Sequence, residues 1–400
     1  MGDSLLQDPR VLRARDFLRE QDDWILELQK ELTGIPAPPY GEGPRGQRMK
    51  VLFREVGLQE VARDKAGNIL GSTSGASRAA PRLLVSAHLD TVFPEGTDVT
   101  PSVDGDRIYA PGIADDGRGL AVLLALARLA TSLPPPSLPP LLFVATVGEE
   151  GAGNLRGVRH LFREDGPGRK VGGFISLDGV GLDRVINEGV GSTRLRVTLK
   201  GPGGHSWTDW DLPNPIHFLG KILAAMDTLP LPSRPRTTAT VARCGGGKSI
   251  NAIPQEAWME VDLRSQGSGE LERVEEALLS ACRRILGGDG RESEAGLSLE
   301  LEELGRRPAG STDSGEPLVQ AALAATRSLG VEPKLVASST DANIPMSMGI
   351  PAITLGAGGR AGGIHTLNEW YSNEEGPEGA FRALLTLLVW GEVADQPTSE

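Results

Sequence analysis

Cysteine is nearly absent, with Cys244 and Cys282 the only two in 400 residues. Two thiols cannot build a disulfide framework, and neither lies near the acids and histidines described below, so both are read as buried free thiols. Basic charge is short as well. Lysine and arginine total 41 against 53 acids, a formal net charge of −12, and no basic stripe stands out. Nucleic acid and anionic membrane surfaces are therefore poor partners. Long apolar runs are missing: stretches such as Leu141 to Val147 fall far short of the roughly 20 residues that span a bilayer. The opening Met-Gly-Asp-Ser-Leu-Leu-Gln-Asp lacks the basic-then-apolar order of a signal peptide, so a soluble, cytoplasmic protein is expected. At this length two domains are expected.

Against these absences stand five groups of metal-type donors. They are His88-Leu89-Asp90, Asp115-Asp116, Gly148-Glu149-Glu150, Asp178 in Ser-Leu-Asp-Gly, and His365 in Gly-Ile-His-Thr. Most follow a short apolar segment and sit beside small residues, where a buried strand delivers its last side chain into a cleft. Catalytic zinc takes imidazole and carboxylate ligands and keeps a position open for water. Two ions about 3.5 Å apart need a shared ligand, which a carboxylate supplies. The counts then suggest one bridging Asp, one His and one terminal acid per metal, and one acid left as base. Adjacent Glu149 and Glu150 can divide labour, one binding metal while its neighbour takes a proton from water. Asp90, two residues from His88, falls on the same side of an extended backbone and can orient the imidazole.

Around these groups the pattern is α/β. Residues 8 to 33 carry apolar positions at helical spacing. Leu83 to Ala87, Leu141 to Val147 and Phe174 to Leu177 read as buried strands, with a helix over Gly119 to Leu133, and together predict a largely parallel sheet. A proline-rich loop follows at Leu133 to Pro140. After about Ser192 the pattern changes to a strand at Leu195–Leu199, helix at Ile216–Met226, strands at Thr237–Arg243 and Ala257–Leu263, helix at Glu270–Ile285 and strand at Leu297–Leu301. The order βαββαβ predicts a ferredoxin-like unit. The α/β pattern then resumes with a helix at Glu316–Ser328, strands at Lys334–Val336 and Ala352–Leu355, and a helix at Gly376–Val389. The expected division is 1–192 and 306–400 for a mostly parallel catalytic domain, with 193–305 inserted as a smaller one.

Together with Ser86 to Pro94, Gly112 to Asp116 and Gly201-Pro-Gly-Gly-His205, these groups give the chain a resemblance to the dizinc exopeptidases. That family includes peptidase T, aminoacylase, succinyl-diaminopimelate desuccinylase and glutamate-releasing carboxypeptidases. The resemblance implies that His88, Asp115 and Asp178 hold one zinc and Asp115, Glu150 and His365 the other, with cobalt or manganese as substitutes. It makes Glu149 the general base and puts Asp90 behind His88. The choice of Asp115 over Asp116 rests on this alignment. The inserted unit is implied to be a lid and homodimer interface, with His205 reaching the partner's site to support the tetrahedral intermediate. Asn251 and Arg264 match residues that grip a substrate carboxylate, for which an Arg fork is well shaped. His160 and His217 fall in no motif and are read as structural; Asp341 and Asn343 either line the cleft or cap a loop.

Two positions depart from the family pattern. Many relatives continue the bridging Asp as x-Lys-Gly-Gly, where this chain has Asp116-Gly117-Arg118-Gly119. Position 178 is Asp, as in the aminopeptidases and dipeptidases, where deacylases and carboxypeptidases usually carry Glu. The expectation is a zinc-dependent hydrolase of short peptides, an aminopeptidase or dipeptidase. A deacylase of N-acyl amino acids or a carboxypeptidase is the alternative within the family. A catalytically silent dimeric scaffold is the alternative from another class.

Overall fold

The computed structural model describes residues 6–73, 83–132, 138–288 and 296–394. It divides into two compact units, Met1–Gly189 with Ser311–Glu400, and Val190–Gly310. The first is built on a nine-stranded sheet. Its centre is parallel: Leu83–His88 runs between Leu141–Thr146 and Gly173–Leu177, and Ala352–Leu355 continues beyond the latter. Antiparallel strands Gln59–Arg63 and Ile69–Ser72 extend one edge. The central runs are near-continuous apolar sequence, broken only by small polar residues such as Ser86, Thr146 and Ser176, because both faces are covered. Leu83, Val85 and Ala87 pack into one core with helix Gly117–Ser132, while Leu84 enters a second core with Val158 and Ile344. Alternation along the strand thus divides its side chains between two helical layers.

This topology places the site. From Leu83–His88 the chain goes next to Leu141–Thr146 on one side and then to Gly173–Leu177 on the other. Strand order reverses there, and connections leaving the carboxyl ends of neighbouring parallel strands diverge to open a crevice. His88, Glu149 with Glu150, and Asp178 all stand at or just past those three ends.

Unit 2 has a four-stranded antiparallel sheet ordered Thr237–Gly246, Glu256–Ser265, Gly191–Lys200 and Ser298–Arg307, with helices Pro215–Met226 and Ser268–Leu286. Numbered along the chain that is second-third-first-fourth, the ferredoxin-like arrangement. Val197, Leu199, Met259, Val261 and Leu263 face the helices in a core with Leu219, Val274 and Leu278. Among the described residues of both units, no helix is long and apolar enough to cross a membrane.

Several readings need correction. The helical stretch at 8–33 is two helices, Pro9–Glu20 and Asp22–Thr33, separated at Gln21 (φ −89°, ψ 3°). Cys282 is buried as expected, but Cys244 is exposed. It lies on an edge strand, paired with Met259 just past a register shift between Val241 and Arg243. Helix Gly43–Glu55 and a small sheet of three-residue strands at 102–109 and 360–372 have no counterpart in the sequence reading. Of the proline-rich loop, residues 133–137 lie outside the described residues.

Candidate metal centre

His88 is the last residue of its strand and is 2% exposed. Its Nδ1 lies 3.0 Å from the main-chain oxygen of Asp90, so in the neutral ring Nδ1 donates and Nε2 keeps its lone pair for a metal. That Nε2 is 2.9 Å from Asp115 Oδ1. The other oxygen of the same carboxylate, Oδ2, is 3.0 Å from His365 Nε2. His365 Nε2 is also 2.9 Å from Glu150 Oε1. One carboxylate therefore stands between two imidazoles, each facing its own oxygen. Donor atoms fall within 4.8 Å of one another in three groups: His88 with Glu149 and Glu150, His88 with Asp116 and Asp178, and Asp115 with Glu150 and His365.

Asp116 rather than Asp115 thus stands beside His88 and Asp178, and each of its oxygens also accepts a main-chain N–H. Oδ2 accepts the His88 N–H at 2.9 Å, and Oδ1 accepts the Gly119 N–H at 3.1 Å at the start of helix Gly117–Ser132. Position 119 has to be glycine, since a Cβ there would stand 2.1 Å from Asp116 Oδ1. Asp116 ties the strand end to the helix start, leaving Asp115 to face the imidazoles.

The contact between Asp90 and His88 differs from the expected one. It is the Asp90 carbonyl that meets the ring, while carboxylate Oδ1 is 3.8 Å from Nδ1. The carboxylate instead accepts the N–H of Glu149 at 2.9 Å and of Glu150 at 2.7 Å. Its proximity in sequence to His88 concealed this, because the two amides it holds are about 60 residues downstream. Gly148, at φ +65°, turns the chain so that both amides point back at Asp90.

Three further residues of the centre escaped the sequence reading. Arg45 is fully buried and donates to the carbonyls of Thr33, Ile35 and Leu89, the last lying between His88 and Asp90. Burial lowers its pKa to about 10, against the pull of Asp90 and Asp116. Glu369 is fully buried and accepts main-chain N–H groups from Gly112, Ala114 and Asp115. Arg118 is fully buried and donates to the carbonyls of Ala357 and Gly376. A charged residue read in sequence signals a solvated position, so no local cue marked any of them. Of the two undecided residues, Asp341 accepts from Thr146 Oγ1 at 2.6 Å and Asn343 Oδ1 accepts the Thr340 N–H at 3.0 Å.

The electrostatics follow from crowding acids underground. Burial, then the charge of Asp115, pushes the Asp178 carboxyl well above its usual range. Burial does the same to Asp116, and raises Asp90 to about 6. Asp115 goes the other way: burial would raise it, but hydrogen bonds to His365 and His88 prevail. Hydrogen bonds to Asp115 and Glu150 lift His365 to about 10. For His88 burial opposes the charged form, yet Asp116 and Asp115 hold it well above its ordinary value. Protons are being retained where negative charge exceeds positive. An all-oxygen-and-nitrogen donor set with surplus negative charge in a crevice fits divalent cations, and a carboxylate shared by two imidazoles fits a pair of them.

The remaining sequence-picked residues belong to unit 2. His205 lies in a two-residue strand paired with Ala252, next to Asn251, whose carbonyl accepts the Ser206 N–H at 3.0 Å. The His205 N–H donates to Asp209 Oδ2 at 2.7 Å, and Trp207 N–H donates to His205 Nδ1 at 3.2 Å. The neutral ring therefore carries its proton on Nε2, where it is a donor. Arg264 Nε donates to Asp262 Oδ2 at 2.9 Å, so this fork is engaged with a neighbouring acid. His160 and His217 are in none of the donor groups found among the described residues.

The sequence profile of peptidase family M20/M25/M40 matches residues 84–388, which include every donor named above. The chain belongs to this family. Succinyl-diaminopimelate desuccinylase of Corynebacterium glutamicum is 28% identical over 345 residues, 83% of this chain and 87% of its own. Aminopeptidase PepT of Bacillus cereus shares the fold with a TM-score of 0.72 at 23% identity, over 93% of this chain and 98% of its own. Bacillus subtilis YXEP, described as a dinuclear metal binding peptidase of the M20 family, gives 0.66 at 17% identity over 94% and 98%. Membership makes this chain a metallopeptidase-family hydrolase of amide bonds, and the fold expectation of an α/β sheet unit with a separate antiparallel unit holds.

Proposed function

We propose that this M20 hydrolase is a cytoplasmic, homodimeric, dizinc aminopeptidase or dipeptidase acting on short peptides. The observation that carries the reading is the Asp115 carboxylate, with one oxygen on His88 and the other on His365. In this reading His88, Asp115 and Asp178 hold one ion, and Asp115, Glu150 and His365 the other. Zinc is the first choice, with cobalt or manganese as substitutes. When bound, the pair polarises an amide carbonyl and makes nearby water acidic. Glu149 then takes the water proton and returns it to the leaving amine. Asp90 fixes the Glu149 and Glu150 amides, keeping base and ligand in register. Asn251 and Arg264 are proposed to grip a substrate carboxylate, which for Arg264 requires leaving Asp262. Two free thiols suit a reducing compartment.

Asp178 favours a free-amine substrate, since family members working on acylated amines usually carry Glu there. The similarity to a desuccinylase supports the second reading, a deacylase of N-acyl amino acids or a carboxypeptidase. A panel of di- and tripeptides beside N-acetyl and N-succinyl amino acids decides between them. Hydrolysis of free-amine peptides with little action on N-acyl substrates is expected. The reverse preference would replace the first reading with the second, and no hydrolysis by zinc-loaded protein would favour the scaffold.

The inserted unit is proposed to dimerise and to lend His205 to the partner's site as an oxyanion donor. Its Nε2–H is the right group for that task. His205→Ala should lower turnover roughly 100-fold or more while metal content and dimerisation persist. Mixing His205→Ala with Glu149→Ala chains puts both lesions on one site and leaves the other whole, so two inactive parents should regain activity. No recovery, with subunit exchange shown by a label, would place His205 outside the partner's site.

A further inference from the structure

Glu369 is fully buried four positions after His365. Its Oε2 accepts the Gly112 N–H at 3.0 Å, and its Oε1 accepts those of Ala114 at 2.9 Å and Asp115 at 3.1 Å. Amides of one turn converging on one carboxylate make a concave anion nest, and such charge-assisted bonds exceed neutral ones in strength. Main-chain pairing repeats the connection: the Ala110 N–H donates to the Glu369 carbonyl at 3.1 Å, and Trp370 pairs with Tyr109. The segment that presents His365 therefore also clamps the turn that presents Asp115. His365 itself sits at φ +64°, a conformation that a non-glycine residue keeps only where its surroundings hold it.

We propose that Glu369 is a positioning residue for both metal ions, setting where the Asp115 carboxylate stands relative to His365. This rests on reading Asp115 as the shared ligand. Metal–ligand distances tolerate only about 0.2 Å, so a turn released from its nest loses ligand geometry before it loses its fold. Because Asp115 serves both ions, release should weaken both, whereas damage to Glu150 should weaken one.

The test is cobalt(II) titration of metal-free protein, followed by calorimetry and by the visible cobalt absorption. Wild type should take up two equivalents, and Glu150→Gln should weaken one of them. Glu369→Gln keeps the shape but replaces one acceptor oxygen with a donor. It should weaken both equivalents by about 10- to 100-fold, the usual cost of losing an outer partner, and alter the cobalt spectrum while circular dichroism stays native. Unchanged affinity at both sites, even with a lower melting temperature, would show that Glu369 serves only the fold and overturn the inference. Should Glu369→Gln fail to fold, Glu369→Asp, whose charge is one methylene short, takes its place with the same two outcomes. Failure of wild type to bind two equivalents would instead defeat the dimetal reading itself.

Discussion

Asp115→Ala should abolish binding of both metals and bring hydrolysis down to background. The carboxylate meets His88 through Oδ1 at 2.9 Å and His365 through Oδ2 at 3.0 Å, so both imidazoles lose a partner at once. Asp116 holds the His88 and Gly119 amides and groups with His88 and Asp178, but among the described residues it is in no donor group with His365. The loss should far exceed the roughly 10- to 100-fold that removal of an outer partner costs. Elemental analysis of the purified variant, beside wild type prepared identically, measures it. Retention of one full equivalent of metal would mean that Asp115 is a terminal ligand and the bridge lies elsewhere.

Glu149→Gln should retain two metals and lose turnover by roughly 100- to 10,000-fold, the usual range for a general acid–base. The glutamine keeps the shape and the backbone amide held by Asp90, and removes only the capacity to accept a proton. Glu150→Gln should differ in kind. Glu150 Oε1 is 2.9 Å from His365 Nε2, so its loss should lower affinity for one ion as well as activity. Steady-state kinetics at saturating zinc, paired with metal analysis of each variant, separates the two. Equal metal loss in both variants would show that the neighbours have been assigned the wrong way round.

Much of this was legible in one dimension. Near-continuous apolar runs at 83–87, 141–147 and 174–177 gave away buried parallel strands, because a sheet covered on both faces needs no polar alternation. His88 and Asp178 stood out because each follows such a run directly. Strict alternation at Leu195 to Leu199 marked a one-sided sheet, and the order βαββαβ was enough to anticipate its topology. These are local signals: period, run length and the residue that ends a run. Short strands such as Arg107–Tyr109 and Trp370–Ser372 are below the length at which a period can be seen.

Tertiary structure alone decided how the centre is held together. Glu369 clamps amides more than 250 residues upstream, and Asp90 holds amides just past the end of a neighbouring strand. Arg45 and Arg118 look like solvated helix residues, yet both are buried against carbonyl groups that other segments bring to them. The sequence determined which donors exist and which strand ends deliver them. It could not determine their partners, because a main-chain amide or carbonyl looks the same at every position. Which of them is left unpaired at the crevice, and so recruits a buried charge, depends on how distant segments meet.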